Sequence, residues 1–394
     1  MPSIRVLTLM LAGLAMLGPF SIDTYLPAFD RIAADFAVEG VLMQHTLSIY
    51  LLSFGIMSLF WGSMSDSFGR RPVIIASLVI FLVGSIGCAL APSYGWLLFF
   101  RALQGTSAGA GRIIGQALAR DCFQGAEAQR LFANIAMVFG LAPAIAPVLG
   151  GYLSTYVGWR AIFVLLSVLS LLLIVASWRV LPETLPPKAR QPLRLGGILR
   201  NYLHVAKNGR FLLAISAIGL AFAGFGLYIA SAARFILDIL KLPETAFGWL
   251  FIPFIIGTIS GSMLSSRLAG KVNPARLVLA GQGIMALGAL GNVTYNLFFE
   301  AAVPWAVIPI TVYGFGMSTA LPGMTVVALG VFPTLRGTAS SVQSSVQVTV
   351  FALVAGFVAP WLYESALKLA FGTVGTALLC ASLWHLSQRK VSRE

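Results

Sequence analysis

Apolar segments of about 20 residues recur along the whole chain with only short polar breaks between them, and this repetition restricts the fold more than any single residue does. Twelve such segments can be placed, at about 6–29, 42–64, 72–91, 96–119, 131–153, 160–180, 211–235, 246–266, 276–297, 304–327, 338–360 and 367–387. A helix needs ~20 apolar residues to cross the hydrocarbon core of a bilayer. Charged residues make up only 10% of the 394, against roughly 25% in an ordinary soluble domain. The spacing predicts an all-α polytopic membrane protein with twelve transmembrane helices. Arg5 ahead of the first apolar run would also suit a cleaved signal peptide, but the run is too long for one and its loss would leave an odd number of spans.

The net charge of +13 invites a nucleic-acid reading, but in a membrane chain the placement of charge says more than its sum. With twelve spans both termini lie on one side. Nineteen of the 26 basic residues fall on that side and five on the other, leaving Arg101 and Arg112 inside a span. The positive-inside rule makes the termini cytoplasmic, so the basicity is topological and no nucleic-acid partner is expected. Cys88, Cys122 and Cys380 show neither metal-ligand spacing nor a disulfide pattern, and no metal is expected.

The longest polar stretch, Pro182 to Arg210, separates six spans from six and reads as a cytoplasmic linker at 182–210 between an N-terminal half (1–181) and a C-terminal half (211–394). "GSMSDSFGRRP" after span two and "GSMLSSRLAGKVNP" after span eight occupy corresponding places. Parallel six-span halves occur in transporters that rock around a site at the half interface. The loops are too short to fold on their own, so function is expected between the helices.

Asp23 is the one carboxylate that falls within a predicted span. Charge in a bilayer is costly, and such residues usually face a bundle interior or a wet cavity. With span one ending near Phe29 and span four starting near Trp96, Asp23 and Arg101 lie at matched depth, ~8–9 Å below the outer surface. They could form a static ion pair, or Asp23 could carry a proton. Arg101 and Arg112, eleven residues apart, fall within ~20° on one helix face with Gln104, Gly105 and Ala108, and this small polar face is expected to be wet. Arg112 could equally snorkel to the cytoplasmic side. Pro19 and Pro27 open the backbone around Asp23.

Together these residues resemble the major facilitator superfamily, and within it the Bcr/CflA-type multidrug:proton antiporters. "DTYLPAF" from Asp23 is similar to the first-helix signature, and "GSMSDSFGRRP" (Gly62, Asp66, Gly69, Arg70, Arg71) matches the loop 2-3 motif closely. "RALQGTSAGAG" resembles the span-four motif in which the arginine, here Arg101, takes part in proton coupling. "APAIAPVLGG" is similar to the antiporter motif of span five, with Pro143, Pro147, Gly150 and Gly151 in place and Ala146 where a glycine is usual. The resemblance implies two six-helix halves related by pseudo-two-fold symmetry, no cofactor, and proton-driven efflux of small compounds by alternating access. The loop motif would act as a cytoplasmic latch, with Arg70 pairing with Asp121 and Asp66 accepting at a helix N-terminus, for which span eleven at "GTASS" is the expected one.

Tyr50, Phe54, Asn134, Phe222, Tyr228, Phe254, Tyr313, Gln343 and Gln347 could line a mostly apolar site, although each alone also suits helix packing. Asp23, Arg101 and Arg112 sum to +1 with the acid ionised, which disfavours cationic substrates and favours neutral or zwitterionic ones. His45, His204 and His385 are scattered, so no enzyme is expected. The rival reading on the same scaffold is export of an endogenous metabolite, such as a nucleoside, an amino acid derivative or a siderophore-like compound. The expected setting is a monomer in the lipid of the bacterial cytoplasmic membrane, handling a small molecule and protons.

Overall fold

The computed structural model describes residues 4–123, 125–190, 195–332 and 335–389, with the side chains of all but 4–5, 120, 125–134, 136–141, 189, 195, 197–199 and 336. It divides into two compact units, Met1–Ile198 and Leu199–Glu394, the boundary falling inside the polar stretch read as a linker. That stretch is not all loop, since it contains a helical segment at 195–206.

The first unit runs α1 (Ile4–Asp23), α2 (Phe29–Asp35), α3 (Gly40–Phe68), α4 (Arg70–Ala89), α5 (Tyr94–Ala108), α6 (Ala110–Cys122), α7 (Gly125–Tyr156) and α8 (Arg160–Val180), with α9 (Leu195–Ala206) crossing the boundary. The second runs α10 (Gly209–Ala230), α11 (Gly248–Leu268), α12 (Pro274–Phe298), α13 (Ile308–Gly330), α14 (Arg336–Leu353), α15 (Ala359–Leu362) and α16 (Ala366–Arg389), with π-helical stretches at Arg234–Ile239 and Val354–Val358. Among the described residues ten stretches are long and apolar enough to span a bilayer. The other two expected spans are the α5–α6 pair and α7. Apolar side chains far from the helix ends stay exposed, Leu287 at 68% and Leu378 at 61%, which suits lipid contact and not water.

Two spans differ from expectation. Span one does not end near Phe29, because after the break at 24–28 the helix resumes as α2 and the span reaches Asp35. Pro27 sits at the start of the one-turn 3-10 element Leu26–Ala28, where a missing N–H costs little, while Pro19 lies within α1. Span four is not one helix, since Gly109 separates α5 from α6. Turn geometry is written into the sequence at Gly69, which joins α3 to α4 at φ +103°, a conformation that glycine reaches without steric cost.

Candidate functional site

The centre of the first unit is built around Arg101, which is completely buried. α5 can carry it there because Gly105, one turn on, brings α5 against the backbone of α3 at Tyr50; a Cβ at that position would overlap the Tyr50 carbonyl. The guanidinium lies between two rings, 4.6 Å from the Tyr25 centroid and 4.3 Å from that of Tyr50. Cation–π contacts of this kind are worth about 2 kcal/mol or more when desolvated. Tyr25 shares a hydrogen bond with Thr46 (2.8 Å), and Tyr50 donates to Gly18 O (3.0 Å) and meets Ser21 Oγ at 2.7 Å, so both rings are fixed.

Arg101 Nη1 donates to Gln104 Oε1 at 2.9 Å and, at 3.4 Å, to Ser21 O. The second acceptor is available because of the break in span one: the Tyr25 amide turns to Ile22 O (3.2 Å), three residues back, and so does not take Ser21 O. Gln104 passes the order outward, its Nε2 donating to Ser85 Oγ (2.7 Å), which in turn donates to Phe81 O (2.8 Å). The free thiol of Cys88, also fully buried, lies 3.9 Å from Gln104 Oε1. Nε and Nη2 of Arg101 have no hydrogen-bond partner among the described residues.

Asp23, the last residue of α1, is 4% exposed. Arg101 reaches the chain on either side of it, at Ser21 and Tyr25, but no ion pair joins them; among the described residues Asp23 has no salt-bridge partner. α7 closes the same break. A Cβ on Gly150 would overlap Thr24 O, so the glycine of the span-five motif lies directly against the residue after Asp23.

Of the span-four face expected to be wet, the part carried by α5 is enclosed within this unit. Arg101, Gln104, Gly105 and Ala108 are buried, packed against other helices. Gly109, with Phe54 lying against it, separates α5 from α6 while keeping right-handed helical dihedrals (φ −82°, ψ −21°), and the Ile113 amide donates to its carbonyl at 3.1 Å. Arg112, on α6, is exposed.

The loop motif is assembled with a partner that sequence reasoning passed over. Arg70 pairs with Asp66, donates to Ser65 Oγ (2.6 Å) and reaches Asp121 Oδ2 through Nε (3.3 Å). Glu183, just after α8, accepts from the backbone amides of Arg70 (3.0 Å) and Arg71 (3.3 Å), capping α4, while Thr184 donates to Asp121 Oδ2 (2.8 Å). At the opposite end Asp35 accepts from Trp159 Nε1 (3.1 Å) and Arg160 Nη1 (2.6 Å), and Arg160 Nη2 reaches Ala91 O (3.4 Å).

The candidate lining residues are dispersed. Tyr50 belongs to the Arg101 cage. Tyr228 and Tyr313 are 1% exposed, Tyr228 accepting from Asn292 Nδ2 (2.6 Å) and Tyr313 donating to Ala221 O (2.9 Å). Phe54 is half-buried, and so is Gln343, whose Nε2 donates to Thr325 Oγ1 (3.2 Å). Asn134 lies outside the described side chains.

Comparison with known proteins adds to this geometry. The family described as Major Facilitator Superfamily matches residues 11–355. A bicyclomycin resistance protein homolog of Haemophilus influenzae is 30% identical over 382 residues, covering 96% of this chain and 94% of the relative. The multidrug transporter MdfA of Yersinia pestis is 28% identical over 333 residues, 84% of this chain and 81% of its own. Among solved structures, a bacterial homolog of the human lysosomal transporter Spinster superposes with a TM-score of 0.73 at 17% identity, covering 98% of this chain and 97% of that one.

Proposed function

The chain belongs to the Major Facilitator Superfamily, a family of transporters and not of enzymes that needs no cofactor, and from that premise we propose that it exports small, mostly neutral or zwitterionic amphipathic compounds, antibiotics among them, in exchange for protons by alternating access. The observation that carries the proposal is Asp23, a carboxyl buried at a break in span one without an ion-pair partner among the described residues, within two residues of both Ser21 and Tyr25, which Arg101 touches. A lone acid beside a fixed cation changes the local charge by one unit each time it gains or loses a proton. That is what coupling requires, and a static ion pair would not supply it. The kinship to a bicyclomycin resistance homolog and to a multidrug transporter supports a drug-like substrate.

In this reading Asp23 and Arg101 couple protons, with Gln104 holding Arg101. Asp66, Arg70 and Asp121, extended by Glu183 and Thr184, form a latch at the end bearing the termini. The excess of basic residues on that side supports its being cytoplasmic, in a bacterial inner membrane. The test is export from proteoliposomes under an imposed pH gradient. Asp23→Asn keeps the size and removes the titration, so gradient-driven export is expected to vanish with the protein still inserted. Wild-type export by Asp23→Asn would sink the proton-carrier role.

A further inference from the structure

A cavity of about 640 Å³ opens beside the latch, between the start of α4 and the end of α8, with Arg71, Arg190 and Glu183 as its polar wall and Ile75, Ala76 and Trp178 as its apolar one. We propose that it binds the phosphate of an anionic phospholipid, whose acyl chain lies along the seam between α4 and α8.

Three observations support this. The first is electrostatic. Glu183, the one acid of the wall, is committed to backbone amides, with Oε1 accepting from Arg70 and Leu185 (3.0 and 2.9 Å) and Oε2 from Arg71 (3.3 Å). Arg71 donates to Trp178 O, and Arg190 enters no salt bridge among the described residues, its Nε enclosed without a hydrogen-bond partner. The wall therefore carries two guanidiniums against one carboxylate, a net charge of +1 with the carboxylate oxygens already engaged, and guanidinium forks suit phosphate oxygens.

The second is the apolar path. On α4 the exposed residues Pro72, Ala76, Val79 and Val83 follow one another at three- and four-residue steps and form one stripe leading away from the cavity. On α8 Val164, Val168, Leu171, Val175 and Trp178 do the same and lead towards it. Ser170 Oγ donates to Leu78 O (2.9 Å) and holds the two helices together. A free anion would have no use for these stripes, whereas a phospholipid needs both them and the cationic pocket.

The third is position. Trp178 is 64% exposed in the last turn of α8 beside Arg179, the arrangement expected where a span leaves the hydrocarbon for the headgroup layer. The cavity therefore lies at headgroup depth.

The test uses the purified full chain in a neutral detergent, with dioleoyl phosphatidylglycerol, dioleoyl phosphatidylcholine and inorganic phosphate as probes. Binding is read by native mass spectrometry and by thermal stabilisation. Phosphatidylglycerol is expected to remain bound and to stabilise, with phosphatidylcholine and phosphate doing neither. Arg190→Gln is expected to weaken phosphatidylglycerol binding about fivefold, in line with one basic contact at a membrane surface, and Arg190→Lys to retain most of it. Elution by size exclusion and helical content matching the wild type establish that Arg190→Gln is folded. Equal retention of the two lipids, an unchanged Arg190→Gln, or stabilisation by phosphate alone would overturn the proposal, the last by making the pocket a simple anion site.

Discussion

Gln104→Leu is the sharpest probe of how Arg101 is held. Leucine keeps the approximate volume but removes the one side-chain acceptor of a fully buried guanidinium, leaving the 3.4 Å contact to Ser21 O and two ring faces. A hydrogen bond to a charged group contributes about 1.5–3 kcal/mol, and Ser85 Oγ loses its 2.7 Å donor as well, which adds about 1 kcal/mol. For a unit of this size each kcal/mol corresponds to ~2–4 °C of melting temperature, so a fall of at least about 5 °C is expected in detergent, with gradient-driven export reduced more than substrate affinity. Gln104→Glu keeps an acceptor and sets a carboxylate against the guanidinium, and should recover more than half of the loss. Differential scanning fluorimetry of both variants, with transport in proteoliposomes, decides the matter. An unchanged melting temperature in Gln104→Leu, or a Gln104→Glu no better than Gln104→Leu, would refute the idea that the amide holds Arg101.

Gly150→Ala should be among the most damaging single-methyl additions, because the new Cβ overlaps Thr24 O and backbone cannot step aside; about 1–3 kcal/mol of stability and most export are expected to go, while Gly115→Ala, whose Cβ meets only Leu11 Cδ2 at 3.4 Å, should melt within about 2 °C of wild type. Equal melting temperatures would refute the packing argument. Glu183→Ala leaves the Arg70 and Arg71 amides uncapped and should cost about 0.5–2 kcal/mol and slow turnover with substrate affinity nearly intact; a matching loss of affinity, measured by equilibrium binding, would count against a latch. Asp35→Asn breaks a pair whose side chains are 44–46% exposed, so less than about 1 kcal/mol is expected, and a fall of more than about 5 °C in melting temperature would show that the pair is far stronger than its exposure allows.

Span number and the inward placing of Asp23 and Arg101 were legible because lipid imposes a coarse rule: about 20 apolar residues per crossing, and charge only where something inside needs it. The breaks were less legible. Pro27 suggested an end to span one, whereas proline is accommodated in the first turn of a new helical element, where its missing N–H costs little, so the chain resumes as α2. Gly109 carried no such warning of the interruption between α5 and α6. Glu183 was visible in "PET" but is 113 residues from the amide it caps, a contact that no local pattern encodes. Tyr228 and Tyr313 suited a binding surface by composition alone; that their hydroxyls are taken up inside the second unit depends on partners in other helices.

Cys88 gives the protein a built-in clock. Its thiol is buried within van der Waals reach of Gln104, while Cys122 is only half-buried, so an alkylating dye meets one reachable sulfur and one sealed beside the guanidinium cage. With Cys122 replaced by serine, and Cys380 sealed in the other unit, the labelling rate at Cys88, located by peptide mapping, counts how often α4 and α5 part. Recorded with and without a pH gradient, that count would report whether the cage opens during the transport cycle or stays shut throughout, without introducing a probe into the site.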